Sequence, residues 1–335
     1  MKILYLGNQL SKHGFNKTTI ETLGPQLEQQ GYTVFYASNQ SSFVLRLWEM
    51  LRAVVVYRQQ VSYVLIDTYS TKAFWYAFLS SQLARLLKIP YIPILHGGNL
   101  PQRLKKNPIL CKMLFGQAYQ NVAPSTYLKE VFEREGYQRV LFIPNTIEIQ
   151  QYPFQKRSHL KPKLLWVRAF AAIYNPTLAV AVLKKVQEHY PNAELCMVGP
   201  DKDGSLQTTQ DYARQEGVSV RFTGGLSKAE WTTLAQDYEV FINTTHFDNT
   251  PVSLMEAMAL GLPVVSTNVG GIPYLVKDKE EALLVPDNDV LAMKEAVINL
   301  LQSPELVNRL TTASRKKVES WDWQVVQKQW IDLLS

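Results

Sequence analysis

Cysteine is scarce: the 335 residues hold two, Cys111 and Cys196. They lie far apart in apolar stretches, which reads as two free core thiols in a reducing cytoplasm and excludes a disulfide framework. Long apolar runs are missing too, and none reaches the ~20 residues that a membrane-spanning helix needs. The opening stretch Met1–Gly7 is too short for the apolar region of a signal peptide and has no small-residue cleavage site, so it is expected to be a first buried strand. The five histidines (His13, His96, His159, His189 and His246) show no zinc spacing. No strand candidate leads into a Gly-rich dinucleotide fingerprint or a P-loop. Metal and cofactor chemistry therefore lack a sequence signature, and neither a metal nor a cofactor is expected.

What is present is an ordinary globular composition, 46% hydrophobic and 19% charged. The length exceeds that of a usual single domain and fits two of about 150 residues each. The net charge of +6 conceals an asymmetry. Residues 1–160 carry 18 Lys and Arg against 8 Asp and Glu, whereas the remainder carries 17 against 21. Within 41–120 there are ten basic residues and two acids, Glu49 and Asp67. Two readings of that basic half stand: a solvated surface kept for solubility, or a surface that meets an anionic partner.

Short apolar runs alternate with amphipathic stretches along the whole chain. Strands are predicted at Lys2–Gly7, Thr33–Ser38, Tyr63–Asp67, Tyr91–Leu95, Asn121–Ala123 and Val140–Ile143, with helices between them at 18–30, 71–88 and 125–135. The second half repeats the scheme, with strands at Leu164–Val167, Glu194–Val198, Val220–Thr223, Val240–Asn243, Pro263–Ser266 and Ala282–Val285. The helices between those are predicted at 175–189, 206–215, 227–236, 253–260 and 290–301. Fully apolar, β-branched strands alternating with helices predict an α/β protein of two parallel sheets, each covered on both faces. Residues 150–162, with two prolines and little periodicity, are expected to link the halves. Ligands of such sheets bind beyond the carboxyl ends of the strands, so a cleft between two facing domains is the expected place for chemistry.

The most informative stretch runs from Val240 to Val276. A strand and a polar loop lead to Pro251, which sets a first helical turn, and an apolar helix then runs to a stop at Gly261. The start of that helix offers free N–H groups and a partial positive charge, a site for phosphate. Asp248 lies just before it, and Glu256 lies deep within it among Leu254, Met255, Ala257 and Met258. A carboxylate in such company is costly unless it accepts hydrogen bonds, and paired ribose hydroxyls would satisfy it.

With Asp248, seven intervening residues, Glu256-Ala257-Met258-Ala259, Gly261, Pro263-Val264-Val265 and Gly270-Gly271, the chain resembles the retaining glycosyltransferases of family 4, which have the GT-B fold. Pro144-Asn145-Thr146, Val198-Gly199-Pro200, Phe222-Thr223-Gly224 and Leu284-Val285-Pro286 fall in the order that this family shows. The resemblance implies two Rossmann-like domains: an acceptor domain at 1–155, joined by a returning helix at 321–335, and a nucleotide-sugar donor domain at 162–320. It implies that Glu256 binds the donor ribose and that Asp248 sits near a hydroxyl of the transferred sugar. Asn249, Thr250, Pro251 and Val252 would line the diphosphate and sugar, and Arg168 would bind the diphosphate. His96 would lie near the reacting sugar, and Gly14, in the first loop, would approach the diphosphate.

The departures from the family pattern are specific. A Lys is usual about five residues after the Arg, but the segment following Arg168 reads Ala169-Phe170-Ala171-Ala172-Ile173-Tyr174-Asn175. Tyr174 and Asn175 offer only neutral hydrogen bonds there, and Lys12 or Lys17 are candidates to replace the cation. Asp248 stands where Glu is usual. The resemblance implies transfer of a hexose-type sugar from a nucleotide diphosphate to a saccharide or lipid-linked acceptor; a catalytically weak binding protein of the same fold, or a sugar-nucleotide epimerase, are the other readings. Asp201 and Asp203 have the spacing of a metal-binding carboxylate pair but sit in a polar turn. The basic stretch Ser42–Arg52 and the segments 104–106 and 109–115 suggest docking on an anionic membrane surface at the cytoplasmic face. No nucleic-acid module accompanies the basic residues, so nucleic acid is not an expected partner.

Overall fold

The computed structural model describes residues 1–10 and 18–335, so Gly14 and the candidate cations Lys12 and Lys17 lie outside the described residues. The chain divides into two compact units, Met1–Pro144 with Gln327–Ser335, and Asn145–Val326. In the first unit β1 (Lys2–Leu6), α1 (Ile20–Gln29), β2 (Thr33–Ala37), α2 (Phe43–Tyr57), β3 (Tyr63–Thr68) and α3 (Phe74–Leu86) follow one another. They continue with β4 (Tyr91–Leu95), α4 (Leu100–Lys106), α5 (Pro108–Phe115), β5 (Asn121–Ala123), α6 (Thr126–Arg134) and β6 (Val140–Phe142). The six strands make one parallel sheet in the order β2-β1-β3-β4-β5-β6.

The second unit runs β7 (Lys163–Val167), α7 (Pro176–Gln187), β8 (Glu194–Val198), α8 (Ser205–Gln215), β9 (Arg221–Gly224), α9 (Lys228–Leu234) and β10 (Val240–Asn243). Then come α10 (Val252–Ala259), β11 (Val264–Thr267), α11 (Ile272–Leu275), β12 (Leu283–Val285), α12 (Val290–Gln302) and α13 (Pro304–Glu319); the last helix, α14 (Trp323–Leu334), belongs to the first unit from Gln327 onward. Its sheet is also parallel and six-stranded, in the order β12-β11-β10-β7-β8-β9. In both orders the sequence reverses at the first strand, β1 or β7, which creates the switch point where open α/β sheets hold ligands. The α/β class predicted from alternation is the observed one.

Burial explains why these segments became strands. β4 is buried along its full length and so is β10, as expected for strands covered on both faces. Leu4, Leu6, Val64, Ile66 and Leu95 join Phe74, Phe115 and Phe132 in the core of the first unit. In the second, Leu164, Trp166, Ile242 and Val265 pack with α7 and α12, while Leu165, Phe241 and Val264 pack with α10 on another core cluster.

The division between units falls after Pro144, ahead of the 150–162 segment expected to be a linker. Two anchors fasten that segment to the second unit. Tyr152 is 1% exposed, and Arg157 is 4% exposed and donates to the carbonyls of Leu260 and Ala235. Burial pulls the Arg157 guanidinium below its usual range, an effect that the neighbouring Glu239 opposes. The 16-residue α13 was not expected from the sequence; Ser303 caps it through the Leu306 amide and Pro304 occupies its first turn.

Candidate active site

In the second unit the candidate residues gather at the carboxyl ends of β7 and β10. Arg168 directly follows β7, and its amide donates to Val198 O. Gly199 makes that approach feasible, since a Cβ there would lie 1.8 Å from Arg168 O. The loop after Arg168 is tied to the end of β10. Trp166 Nε1 donates to Thr244 Oγ1, which donates to Tyr174 O, and Thr245 Oγ1 donates to Ile173 O. The guanidinium lies 4.5 Å from the centre of the Tyr174 ring and pairs with the Asp248 carboxylate. Burial draws its pKa downward, while the fields of Tyr174 and Glu256 oppose that shift. Arg168 Nε is buried and has no hydrogen-bond partner among the described residues.

The loop 248–251 and helix α10 form the second wall. Gly270 and Gly271 permit the loop to lie against the β11–α11 turn: a Cβ on Gly270 would meet Asp248 O at 2.2 Å, and one on Gly271 would meet Asn249 O at 2.0 Å. The Gly271 amide donates to Asp248 O at 2.8 Å, fixing the register of that approach. Pro251 has extended backbone and precedes Val252, the first helical residue. The first bonds within the helix run from the amides of Leu254 and Met255 to Pro251 O, so the Val252 and Ser253 amides are left over by helix geometry. Beside them, the buried hydroxyls of Thr250 and Ser253 have no partner among the described residues. A guanidinium, two spare amides and two unmatched hydroxyls make an environment suited to phosphate oxygens.

Seven of the eight residues of α10 are buried, Glu256 included, and Gly261 ends the helix at φ +76°. Glu256 is 6% exposed and is held by two residues that sequence reasoning missed. Tyr152 donates its hydroxyl to Oε1 at 2.6 Å, and Lys228 Nζ lies 3.2 Å from the same oxygen. Lys228 also sits 5.4 Å from the centre of the Tyr152 ring. Burial, followed by the Glu256 charge, drives the Tyr152 hydroxyl strongly upward, so it remains a donor. Lys228 opens α9, whose start is fixed by a capping box of Ser227 and Glu230. The only sequence signal for Lys228 was that capping pattern, which locates a helix but says nothing of a carboxylate 28 residues later.

Asn175 does not stand in for the missing cation. Its amide donates to Asn288 Oδ1 at 3.0 Å, and it occupies a left-handed turn ahead of α7. Tyr174 instead presents its ring to Arg168. The Asp201–Asp203 pair acts as turn structure: Asp203 accepts from the Ala172 and Ser205 amides, and Asp201 from those of Gly204 and Leu206. No group of three or more His, Cys, Asp or Glu side chains is assembled for a metal among the described residues.

In the first unit His96 directly follows β4, and its amide bonds to Thr68 O. Its Nε2 lies 2.9 Å from Asp67 Oδ1, and the same oxygen accepts from Tyr5 OH at 3.0 Å. The three side chains come from adjacent strands β1, β3 and β4 at their carboxyl ends. Asp67 is 4% exposed, and its Oδ2 has no partner among the described residues. Gly7 leaves room for it, because a Cβ there would lie 2.6 Å from Oδ2. With Asp67 ionised, Nε2 carries the proton and Nδ1 is left as an acceptor for a hydroxyl. Burial and the Asp67 charge together push the Tyr5 hydroxyl well above its usual range.

A glycogen synthase from Mycobacterium tuberculosis is 27% identical over 197 residues, 57% of this chain and 47% of that protein. The putative colanic acid biosynthesis glycosyltransferase WcaL of Escherichia coli is 40% identical over 137 residues, 38% of this chain and 34% of its own length. The chain thus matches about half the length, or less, of these curated relatives. Among solved structures, sucrose-phosphate synthase from Thermosynechococcus elongatus superposes with a TM-score of 0.79 at 16% identity, covering 99% of this chain and 98% of that one. Anabaena HepE in complex with UDP and glucose gives 0.78 at 16% identity over 100% and 99% of the two chains. These likenesses show a GT-B-type fold. Residues 148–317, half of the sequence and nearly the whole second unit, match the glycosyl transferases group 1 family, and the chain belongs to that family.

Proposed function

We propose that this protein is a retaining glycosyltransferase that moves a hexose-type sugar from a nucleotide diphosphate to a saccharide or lipid-linked acceptor. The observation that carries the reading is the array at the head of α10: Arg168 with its unmatched Nε, the spare amides of Val252 and Ser253, and the buried Glu256 beyond them. Glu256 Oε1 is engaged by Tyr152 and Lys228, so Oε2 is the oxygen for a ribose diol. The diphosphate would lie against Arg168 and the helix start. Asp248, paired with Arg168, would both orient the guanidinium and accept from a sugar hydroxyl.

In the reaction the bond from the anomeric carbon to the diphosphate oxygen breaks, and its electron pair stays on the diphosphate. The acceptor oxygen bonds to the anomeric carbon on the same face, and its proton passes to the departing phosphate oxygen. Negative charge therefore grows where Arg168 and the helix-start donors are fixed, and they stabilise the transition state more than the ground state. That positive potential serves without a metal ion. Asp67 holds His96 with Nδ1 as acceptor, which suits a hydroxyl of the transferred sugar or of the acceptor. Gly14, outside the described residues, is assigned to the diphosphate by the family resemblance alone. The first unit, Met1–Pro144 with Gln327–Ser335, would take the acceptor, and the second unit the donor.

HepE was captured with UDP and glucose, and WcaL bears the name of a colanic acid biosynthesis enzyme. By analogy UDP-linked hexoses are the first donors to try, and cell-surface polysaccharide or glycolipid synthesis is the expected setting. No helix among the described residues is long and apolar enough to cross a membrane. The proposed location is the cytoplasm, with peripheral attachment to the inner face of the cytoplasmic membrane.

A second reading rests on Tyr174 and Asn175, which fill the place of the second cation with a ring and an engaged amide. On that reading the protein binds a nucleotide sugar without transferring it. A thermal-shift panel of UDP-, GDP-, ADP- and CDP-sugars, followed by product analysis of the stabilising donor, decides between them. Release of free nucleotide with transfer to water or to an added acceptor supports the transferase; binding with no turnover of any donor supports the binding protein, and an altered sugar still on its nucleotide supports an epimerase.

A further inference from the structure

Helix α2 is apolar on two sides. Met50, Ala53 and Val54 face the core of the first unit and are buried, as the inward side of any packed helix should be. The other side carries Val44 (70% exposed), Leu45 (55%), Trp48 (61%), Val55 (40%) and Val56 (52%). The spacing 44, 45, 48, 55, 56 follows one helical face, and Arg52 fills its gap. Single exposed apolar side chains are commonplace, but a continuous stripe of them marks a contact surface. A groove lined by Trp48, Leu51, Val55 and Val56 of α2 and Leu83 of α3 continues the stripe onto the neighbouring helix. Helices that are apolar all round belong in a covered environment, and this one has only half of its cover.

Charge identifies the cover. Arg46, counted from the sequence as part of a basic face, is instead buried and donates to Asn8, Gln40 and Ser41. The remaining basic residues of the two helices and their ends, Arg52, Arg58, Lys72, Arg85 and Lys88, are exposed. The two acids of the same stretch are engaged elsewhere: Glu49 accepts from Ser38, and Asp67 is buried at His96. The Arg52 guanidinium lies 5.6 Å from the centre of the Trp48 ring, an aromatic body beside a cation at the edge of an apolar stripe. A second copy of the chain, paired about a two-fold axis, would bring the same basic rim against itself. Anionic phospholipid meets both requirements, with acyl carbon for the stripe and phosphate for the rim.

We infer that the outward face of α2, continued by Leu83 of α3, lies flat in the interface of an anionic bilayer. At 1.5 Å per residue its 15 residues form a footprint about 22 Å long. The inference deepens the acceptor side of the proposed function, because it names the phase from which a lipid-linked acceptor would be drawn. Its test uses no nucleotide sugar, so it succeeds or fails separately from the transfer reaction.

The purified chain is sedimented with vesicles of phosphatidylcholine alone and with equimolar phosphatidylcholine and phosphatidylglycerol. The expected result is about tenfold stronger partition onto the anionic vesicles, lost to a similar extent in Trp48→Glu and Leu45→Glu and lowered less in Arg52→Glu. Leu291→Glu, at a 60% exposed leucine of α12, should sediment like the unmodified chain. All four positions are on the surface, and unchanged thermal unfolding verifies that each variant is folded. Equal partition onto both vesicle types, or a Trp48→Glu variant that sediments like the unmodified chain, overturns the inference. So does a dimer in sedimentation velocity that Trp48→Glu converts to a monomer, since the stripe would then belong to a second copy.

Discussion

The two units share one architecture but treat charge in opposite ways. At the carboxyl ends of the second sheet, acids and bases engage one another: Arg168 with Asp248, and Glu256 with Lys228 and Tyr152. In the first unit the acid at the corresponding strand ends, Asp67, is held by a histidine and a tyrosine, while the cations of α2 and α3 other than the buried Arg46 face solvent. Gripping a diphosphate needs a fixed array of donors held by close backbone contacts, and such an array leaves a spaced motif in the sequence. A surface that meets an acceptor or a bilayer needs only composition and exposure. The family match spans 148–317 and so follows the array, leaving the whole of the first unit outside it.

Removing the guanidinium should have the largest effect. Arg168→Ala is expected to lower donor turnover by roughly 10²–10³-fold, the usual loss when a fixed donor at developing negative charge is removed. Single-turnover rates with the stabilising donor measure it, and a rate within a factor of three of the unmodified protein would break the contrast between the units. The pair in the first unit should matter less. Asp67→Asn, which offers His96 either an oxygen or an amide, is expected to lower kcat by up to about a hundredfold with little change in KM for the donor. Nitrogen-15 NMR of the His96 ring should find the proton on Nε2 in the unmodified chain and a mixture in the variant; the same single tautomer in both would remove Asp67 from its positioning role.

A third substitution tests whether the array depends on backbone proximity. Gly271→Ala places a Cβ against Asn249 O, and an expected loss of about 1–3 kcal/mol should appear in urea unfolding together with weaker donor binding. Full stability and affinity would mean that the loop adapts. The smallest effect concerns the thiols, one in each unit. Burial raises Cys111 to about 11 and moves Cys196 upward as well. Raised values keep both thiols neutral at pH 8, so iodoacetamide should modify neither in native protein, and labelling across a urea series should report the opening of each unit separately. Rapid native labelling of either would show that its unit opens more readily than its burial implies.

Much of the fold was legible because fully buried parallel strands write their boundaries in apolar runs. Tyr91–Leu95, Glu194–Val198 and Val240–Asn243 fall where the sequence puts them, and others differ by a residue or two at their ends. Glu256 stood out for a physical reason, since a helical carboxylate flanked by Leu254, Met255, Ala257 and Met258 has no solvated side. Its partners did not, because Tyr152 lies in a stretch that reads as a linker and Lys228 on a different helix. The contact of Asp67 with His96 and Tyr5 depends on β1, β3 and β4 being neighbours, and alternation of strands with helices does not specify their order. Arg46 shows the converse. A basic residue in an amphipathic stretch reads as exposed until its three acceptors, spread over Asn8, Gln40 and Ser41, are known.

Calorimetric titration of the nucleoside diphosphate of the stabilising donor into the unmodified chain and into Glu256→Gln tests the donor site most directly. The substitution keeps the side-chain volume and an acceptor for Tyr152 while removing the charge that a ribose diol would meet. Binding is expected to weaken by about tenfold or more, the value of a hydrogen bond to a charged group, with the unfolding temperature nearly unchanged. Equal affinity in the two proteins would contradict the assignment of Glu256 to the ribose.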